Sequence, residues 1–342
     1  MTNIHQRKSE HIEHSLSEAS LSKKMNGFDR YEFRHCALPE LNFSNIDIRT
    51  DFFQQSLHTP FLVSSMTGGV ELAGSINRNL ALAAESRGWI FSLGSTRVML
   101  ESEQHRESFQ VRPFAPTIPI IANIGAVQLN YGVTTKDILR IIEWTDADAL
   151  VFHLNSIQEI IQTNGDTDFS QLLRKMETVI QELDIPVGVK EVGFGIDGDL
   201  AQKLNDIGVS YIDVAGAGGT SWSQVEKLRS TDEIKKEAAE AFADWGISTS
   251  DCLELIKEKN IHNKLMASGG IKNGHDAAKA IALGAHHVGF ARELLKPAME
   301  SEEAVMTWME KRELELRMVM FGIGAGNLQE LMNTDRLIKQ KG

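Results

Sequence analysis

The sequence predicts a (β/α)8 TIM barrel with an N-terminal extension. Two observations support this prediction: eight short apolar runs alternate with amphipathic stretches from residue 59 onward, and small, polar or charged residues follow six successive runs. Near-continuous apolar runs are typical of strands that are buried on both faces, as in a parallel barrel. The functional residues of such barrels lie where the strands end, which agrees with the second observation.

The eight runs are rich in Val, Ile, Leu and Phe and occupy residues 60–65, 89–93, 119–123, 149–154, 186–191, 211–215, 264–267 and 286–290. Apolar residues at three- and four-residue spacing predict helices over residues 76–87, 135–144, 169–183, 200–207, 250–258, 274–283 and 302–320. A doubly wound sheet is the competing fold, but it usually has fewer strands and a GxGxxG turn after its first strand. The first run here ends instead in Met66-Thr67-Gly68-Gly69.

The pattern divides the chain into an N-terminal arm over residues 1–58, a barrel over 59–297 and a C-terminal helical segment over 298–342 that completes the barrel. The net charge of −12 argues against general nucleic-acid binding, which needs a basic surface. The two cysteines have no CxxC spacing, so we expect neither a disulfide framework nor a zinc site. The N-terminal sequence is not that of a signal peptide and no apolar run has the length of a membrane span, so we expect a cytoplasmic protein.

A glycine turn, Ser268-Gly269-Gly270-Ile271, follows the seventh run, and Gly289-Phe290-Ala291-Arg292 ends the eighth. Glycine lets backbone N–H groups approach an anion closely, and the N-terminus of the next helix adds its positive dipole end. Loops after strands seven and eight bind phosphate in many proteins of this architecture. The sequence therefore predicts a phosphate site here, with tight turns alone as the alternative.

Residues after the other runs are expected to converge on one mouth of the barrel, and two of them carry charge that needs a partner. Lys190 lies in an otherwise apolar run. Pairing with Glu191 is disfavoured because neighbours on a strand point to opposite faces, so we expect a negative ligand atom such as the edge of a reduced flavin. Glu159 is a candidate Mg²⁺ ligand, together with phosphate oxygens and waters, although an acid in the first turn of a helix is the alternative.

Basic residues also crowd the N-terminus. Lys8 and His11 are three residues apart and share a face if this segment is helical, and Arg7 precedes them. With Arg97 and His153 they could clamp a diphosphate. A disordered basic end is the alternative.

Eight short motifs follow one another along the chain: RKSEHI at 7–12, ALPEL at 37–41, MTGG at 66–69, HLNSIQE at 153–159, KEVGFG at 190–195, DVAGAGGTSW at 213–222, DWGI at 244–247 and ASGGI at 267–271. Each is weak alone, but the ordered set is highly specific. Over nearly its whole length the chain resembles the type 2 isopentenyl-diphosphate isomerase family.

The resemblance implies an enzyme of isoprenoid precursor biosynthesis that interconverts isopentenyl and dimethylallyl diphosphate, with FMN, Mg²⁺ and NAD(P)H as the reductant of the flavin. Reduced FMN itself would be the acid and base, with Gln158 and Lys190 as catalytic residues and Glu159 as the metal ligand. The implied substrate-binding residues are Arg7, Lys8, His11, Ser95, Thr96, Arg97, His153, Asn155 and Gln158. The implied FMN-binding residues are Ser65, Met66, Thr67, Ser95, Asn123, Lys190, Thr220, Gly269, Gly270, Ile271, Ala291 and Arg292. A homo-oligomer, tetramer or octamer, is also implied.

The chain departs from the family at one place, and three alternative functions are possible. The family usually reads QPEGDR where this chain has QTNGDT at 162–167, so an acid and a base are lost beside the metal site. An FMN-dependent oxidase of 2-hydroxy acids needs a histidine near the sixth strand end, and residues 215–221 contain none. An inosine-monophosphate-dehydrogenase-like reaction needs a cysteine in a mouth loop, and neither Cys36 nor Cys252 lies in one. A non-catalytic flavin-binding protein stays open.

Overall fold

Eight parallel strands close into a barrel, which confirms the predicted fold class. The computed structural model describes residues 4–259, 261 and 263–340, with the side chains of residues 4 and 5 left out. The strands of this described part are β1 Tyr31–Phe33, β2 Thr50–Phe52, β3 Gln55–Leu57, β4 Phe61–Val63, β5 Ile90–Ser92, β6 Ile120–Gly125, β7 Ala149–His153, β8 Val187–Lys190, β9 Tyr211–Asp213, β10 Lys264–Ala267, β11 His287–Phe290 and β12 Leu337–Lys339. Strands β4 to β11 pair in chain order, and β11 pairs with β4 to close the barrel. Each of the eight apolar runs coincides with one barrel strand, and β6 extends two residues beyond its run.

Helices surround the barrel and alternate with its strands. They are α1 Ile4–Leu16, α2 Glu71–Arg87, α3 Val98–Glu101, α4 Thr135–Thr145, α5 Ser156–Ile161, α6 Leu172–Glu182, α7 Gly198–Asp206, α8 Trp222–Arg229, α9 Glu233–Glu240, α10 Thr249–Lys257, α11 Gly274–Ala282, α12 Arg292–Glu300, α13 Glu302–Ile323 and α14 Leu328–Met332. The long helix α13 packs against α2 and α11, on the outside of the barrel. No described helix is long and apolar enough to cross a membrane. The division into three segments stays a prediction.

A hairpin closes the amino end of the barrel. Strands β2 and β3 pair antiparallel and place Phe52, which is 2% exposed, with its ring centroid 5.6 Å from that of Tyr211 and 5.7 Å from that of His287. Tyr211 and His287 are the first residues of β9 and β11. The interior is therefore filled with side chains at this end, as is usual for small barrels.

The first part of the N-terminal arm, which contains α1, lies over the opposite, carboxyl end. Helix α1 packs against α8 and α12. The Ser22 N–H donates to Gly219 O over 2.8 Å, and the Arg292 guanidinium donates to Leu16 O over 2.9 Å. These bonds tie the end of α1 to two loops of the barrel mouth.

Candidate active site

A deep cavity opens at the carboxyl ends of the barrel strands, beneath α1. It is lined by nearly all of the site residues predicted from the sequence, namely Arg7, Lys8, His11, Ser65, Met66, Thr67, Ser95, Arg97, Asn123, His153, Asn155, Gln158, Glu159, Lys190, Thr220, Gly269, Gly270, Ile271, Ala291 and Arg292. The convergence follows from the parallel topology, because each strand delivers its carboxyl end to the same mouth.

Thr96 is the exception among the predicted residues. It is fully buried and does not line the cavity. Its Oγ1 and its backbone N–H both donate to Asn123 O, over 2.7 and 2.8 Å. Thr96 therefore joins the loop after β5 to strand β6 from behind, since its hydroxyl and its N–H both donate to Asn123 O.

The glycine turn after β10 has the conformation that only glycine adopts easily. Gly269 has φ +101° and Gly270 has φ +70°. A Cβ atom at Gly269 would lie 2.1 Å from Gly216 O, so the two loops could not approach each other with a larger residue there. Within the described part of the chain, no group accepts a hydrogen bond from the backbone N–H of Gly269, Gly270 or Ile271. Uncommitted N–H groups in a cavity wall are typical of an anion site.

Lys190 is buried at the end of β8 and pairs with groups of its own chain. Its Nζ donates to Glu191 O over 2.5 Å and lies 3.9 Å from Asp213 Oδ2. The Glu191 side chain, one residue past the end of β8, accepts hydrogen bonds from the backbone N–H groups of Val192, Gly193 and Phe194. Burial raises the pKa of Glu191 to about 7, and the three N–H donors act against this rise. These three hydrogen bonds fix the turn after β8, in which Glu191 O accepts the hydrogen bond from Lys190 Nζ.

Three cationic side chains meet at the mouth: Arg7 and Lys8 from α1 and Arg97 from the loop after β5. Burial lowers the pKa of Lys8 to about 8, and the charges of Arg7 and Arg97 lower it further. Burial and Arg97 likewise lower the pKa of Arg7. Like charges held together in a partly desolvated cavity favour an anionic ligand, since such a ligand would relieve their repulsion.

His153, which the sequence grouped with these cations, is neutral. Burial lowers its pKa to about 3, and Lys190, Lys8 and Arg97 add to this effect. Its Nδ1 lies 2.7 Å from Asn123 Oδ1, which assigns the Nδ1–H tautomer because an amide oxygen only accepts. His153 is therefore a hydrogen-bonding group, and its Nε2 is an acceptor that receives no hydrogen bond from the part of the chain that the structure describes.

A buried carboxylate that the sequence analysis missed holds Gln158. Glu226, on α8, has a side chain that is 1% exposed and accepts from Gln158 Nε2 over 3.1 Å and from His11 Nε2 over 2.9 Å. Arg229 forms a salt bridge with the same carboxylate. Burial opposes ionisation, but His11, Arg229 and Gln158 together lower the pKa of Glu226. Arg229 lies three residues away on α8, but Gln158 and His11 lie on α5 and α1, so no local pattern signals the contact of Glu226 with the site.

Glu159 is buried next to Asn155 and Asp166. Its Oε1 accepts from Asn155 Nδ2 over 2.8 Å, and its Oε2 accepts from the Asp166 N–H over 2.8 Å. Burial raises the pKa of Glu159, and these hydrogen bonds oppose the rise. Asn155 Oδ1 is buried and has no hydrogen-bond partner among the described residues. Within the described residues no group of three or more His, Cys, Asp or Glu side chains is arranged to hold a metal ion.

Asp166 links Glu159 to the cationic side chains at the mouth. Its Oδ2 accepts from Arg97 Nη1 and from Gln128 Nε2, each over 2.8 Å. Its backbone N–H donates to Glu159, as described above. Asp166 lies in the QTNGDT segment, and the structure shows that it orients two cavity-lining side chains, Arg97 and Gln128.

Comparison with known proteins groups the chain with one set of relatives. The family model of the FMN-dependent dehydrogenases matches residues 123–339. An isopentenyl-diphosphate delta-isomerase of Oceanobacillus iheyensis is 57% identical over 98% of this chain and 96% of its own length. Proteins of the same name from a Synechococcus strain and from Rickettsia canadensis are 45% and 44% identical, over 95% and 96% of this chain and 94% and 96% of their own lengths.

Solved structures with the same fold are more distant in sequence. A flavocytochrome b2 double mutant with pyruvate bound superposes with a TM-score of 0.71 at 17% identity, over 96% of this chain and 82% of its own. A mutant of the active chimera of (S)-mandelate dehydrogenase superposes with a TM-score of 0.70 at 14% identity, over 99% of both chains. At this identity the similarity supports the barrel fold alone.

Proposed function

Because the chain belongs to the isopentenyl-diphosphate delta-isomerases within the FMN-dependent dehydrogenase family, we infer that it interconverts isopentenyl and dimethylallyl diphosphate. The observation that carries this conclusion is a single cavity with two anion-binding regions. One is the glycine turn with its free N–H groups, and the other is the cluster of Arg7, Lys8 and Arg97. A flavin phosphate and a substrate diphosphate account for both.

The glycine turn and the residues after the other strand ends fit FMN. Gly269, Gly270 and Ile271, with Ala291 and Arg292, would hold the phosphate, because these residues line the cavity and the N–H groups of the first three have no acceptor within the described chain. Ser65, Met66, Thr67, Ser95, Asn123, Lys190 and Thr220 would contact the rest of the cofactor. Bound in its reduced form, FMN would supply an acid and base near N5.

Arg7, Lys8, Arg97 and His11 would bind the substrate diphosphate, with Ser95, His153 and Asn155 beside them. Thr96 would act through the loop that it supports. The unpartnered Asn155 Oδ1 next to the Glu159 carboxylate fits a hard cation, which prefers oxygen ligands. We therefore assign Mg²⁺ to Glu159, with Asn155 as a neighbouring oxygen and the diphosphate completing the shell, where the ion would neutralise phosphate charge.

The protein's own contribution to the proton transfer is positioning. Glu226 holds the Gln158 amide, so that Gln158 has one orientation toward the cavity. His11 is held by the same carboxylate, and its ring lies edge-on to Trp222 at 5.1 Å. Ile12 on α1 is buried against the cavity. These contacts exclude water, which matters because an alkene is a weak base and its protonation needs a dry site.

We also propose that NAD(P)H reduces the flavin, that the protein is cytoplasmic and that it forms a tetramer or octamer. Exposed apolar side chains support self-association: Leu314 and Met318 on α13 are 45% and 59% exposed, and Leu38 is 75% exposed. Isolated apolar residues are common on surfaces, so the test of the oligomer is its mass in solution.

The decisive experiment is an anaerobic assay with isopentenyl diphosphate, FMN, NADPH and Mg²⁺, in which dimethylallyl diphosphate is the expected product. Omitting NADPH or Mg²⁺ tests each requirement. Bound yellow cofactor without any product would support a non-catalytic flavin-binding protein. Turnover of lactate or mandelate instead would support the 2-hydroxy-acid oxidase reaction, although residues 215–221 after β9 contain no histidine.

A second assay addresses the acid and base. The protein is loaded with 5-deaza-FMN, which lacks basicity at position 5, and turnover is expected to be lost while the analogue stays bound. Full turnover with the analogue would rule out flavin acid–base chemistry.

A further inference from the structure

An acidic residue that has no part in the proposed chemistry lies under the centre of the mouth. Asp213 ends β9, and the barrel register places it directly opposite Lys190 on β8. Its Oδ2 lies 3.9 Å from Lys190 Nζ, and the two side chains are 4% and 10% exposed. A buried carboxylate beside a buried ammonium is costly unless each stabilises the other, so the pair acts as a unit.

The surroundings of Asp213 consist of donors. Ser268 Oγ donates to Oδ1 over 2.7 Å, and the Ala215 N–H reaches the same oxygen over 3.3 Å. Ala215 has φ +37°, a left-handed conformation that is unfavourable for alanine. Burial raises the pKa of Asp213, whereas Lys190 and these donors oppose the rise. An environment made only of donors matches the ionised carboxylate.

The same residue reaches both ends of the cofactor site. Ser268 is the first residue of the glycine turn, and Lys190 lines the cavity at the end of a neighbouring strand. Asp213 does not itself line the cavity. It therefore lies behind two groups that we assign to FMN and contacts each of them.

We propose that Asp213 is a positioning residue that fixes the Lys190 ammonium and balances its charge beside the flavin, and so sets the preference of the site for oxidised or reduced FMN. This inference rests on the proposed function, since it takes FMN as the cofactor. Neutralising Asp213 leaves the charge of Lys190 uncompensated, and an uncompensated cation stabilises the anionic reduced flavin more than the neutral oxidised one.

The test measures the midpoint potential of bound FMN and its affinity in the wild-type protein and in Asp213→Asn, without isopentenyl diphosphate. We expect the variant to favour reduced over oxidised FMN by about tenfold more than wild type, which corresponds to about 30 mV toward positive potential for two electrons. The absorbance of the reduced flavin is expected to show the anionic form down to a lower pH. Asp213→Glu keeps the charge and is expected to restore the wild-type potential.

The matched control is Asp199→Asn on the outer helix α7, whose carboxylate is 77% exposed and for which an unchanged potential is expected. A wild-type potential in Asp213→Asn with FMN bound would overturn the inference. If Asp213→Asn does not retain FMN, Asp213→Glu decides: retention at the wild-type potential supports the charge role, and loss of FMN from both variants overturns it. Failure of the wild-type protein to bind FMN would overturn the proposed function instead, so the two failures are distinguishable.

Discussion

The two ends of the barrel are built from the same strands but differ in what they bury. At the amino end, Phe52 of the hairpin packs against Tyr211 and His287 and closes the interior. At the carboxyl end, Lys190 and Asp213 are nearly as buried and carry charge. Apolar burial stabilises the fold, whereas buried charge costs free energy unless it is paired. Stability and ligand binding are thus separated along the barrel axis.

The residues that serve stability and those that serve ligand binding lie only two positions apart on one strand. Tyr211 and Asp213 both belong to β9, and residues two apart on a strand face the same side. On β8, a Cβ atom at Gly188 would lie 2.2 Å from the Tyr211 ring, while Lys190 sits one layer further toward the mouth. A change at the closed end should therefore alter stability, and a change at the open end should alter ligand binding.

The largest expected effect is on stability. Replacing Phe52 by alanine leaves a cavity at the closed end, and we expect a loss of about 3–5 kcal/mol in the free energy of unfolding. Urea unfolding measures it, with the exposed Ser56→Ala on the same hairpin as a control that changes it by less than about 0.5 kcal/mol. A fall in FMN affinity without loss of stability would show that the closed end serves ligand binding and not stability.

Lys8 tests the opposite end. In Lys8→Gln the diphosphate loses one charged hydrogen-bond donor, worth about 1.5–3 kcal/mol, so we expect kcat/KM to fall by about 10- to 100-fold. Stability should be retained, because a charge whose pKa is lowered by burial is removed. Steady-state kinetics and urea unfolding measure both, with Gln6→Ala on the exposed face of α1 as the control. Equal kinetics in the two variants would exclude Lys8 from the diphosphate site.

Asp166 is expected to have a smaller effect, since it acts through Arg97 and Gln128. In Asp166→Asn the guanidinium loses its fixed position, and we expect KM for isopentenyl diphosphate to rise about tenfold, or about 1.4 kcal/mol, with kcat changed much less. The exposed Asp168→Asn, two residues further along the loop, is the control. A fall in kcat with an unchanged KM would assign Asp166 to the chemical step instead.

The smallest expected effect is a pH dependence. A lysine carries its charge below its pKa, and that of Lys8 is about 8, so kcat/KM is expected to fall about threefold between pH 7.5 and 8.5. The pKa of Lys8 is lowered from 10.5, so the unfolded chain binds more protons between about pH 8 and 10.5, and this residue's contribution to stability rises with pH there. Lys8→Arg should remove the fall in kcat/KM, and a pH profile identical to wild type in that variant would assign the titration to another group.

The sequence predicted most of the site but few of its internal partners. The residues after each strand end were identified because strand patterns are local and a parallel barrel brings all strand ends together. Asp213 belongs to an apolar run, as Lys190 does, and a second charge in a neighbouring run was the signal that could have paired them. Thr96 was grouped with its neighbours, but its hydroxyl bonds to Asn123 O behind the cavity wall.

The sequence by itself determined the barrel, the positions of its strands and the glycine turn after β10, because hydrophobic period and the conformational freedom of glycine are properties of short segments. Only the tertiary structure decided which polar and charged side chains meet at the mouth: Lys190 with Asp213, Gln158 with Glu226, and Arg97 with Asp166. These contacts depend on strand register and on the packing of α1, α5 and α8 around the mouth. Residues distant in sequence leave no local pattern when they pair, so the electrostatics of the site follow from the fold.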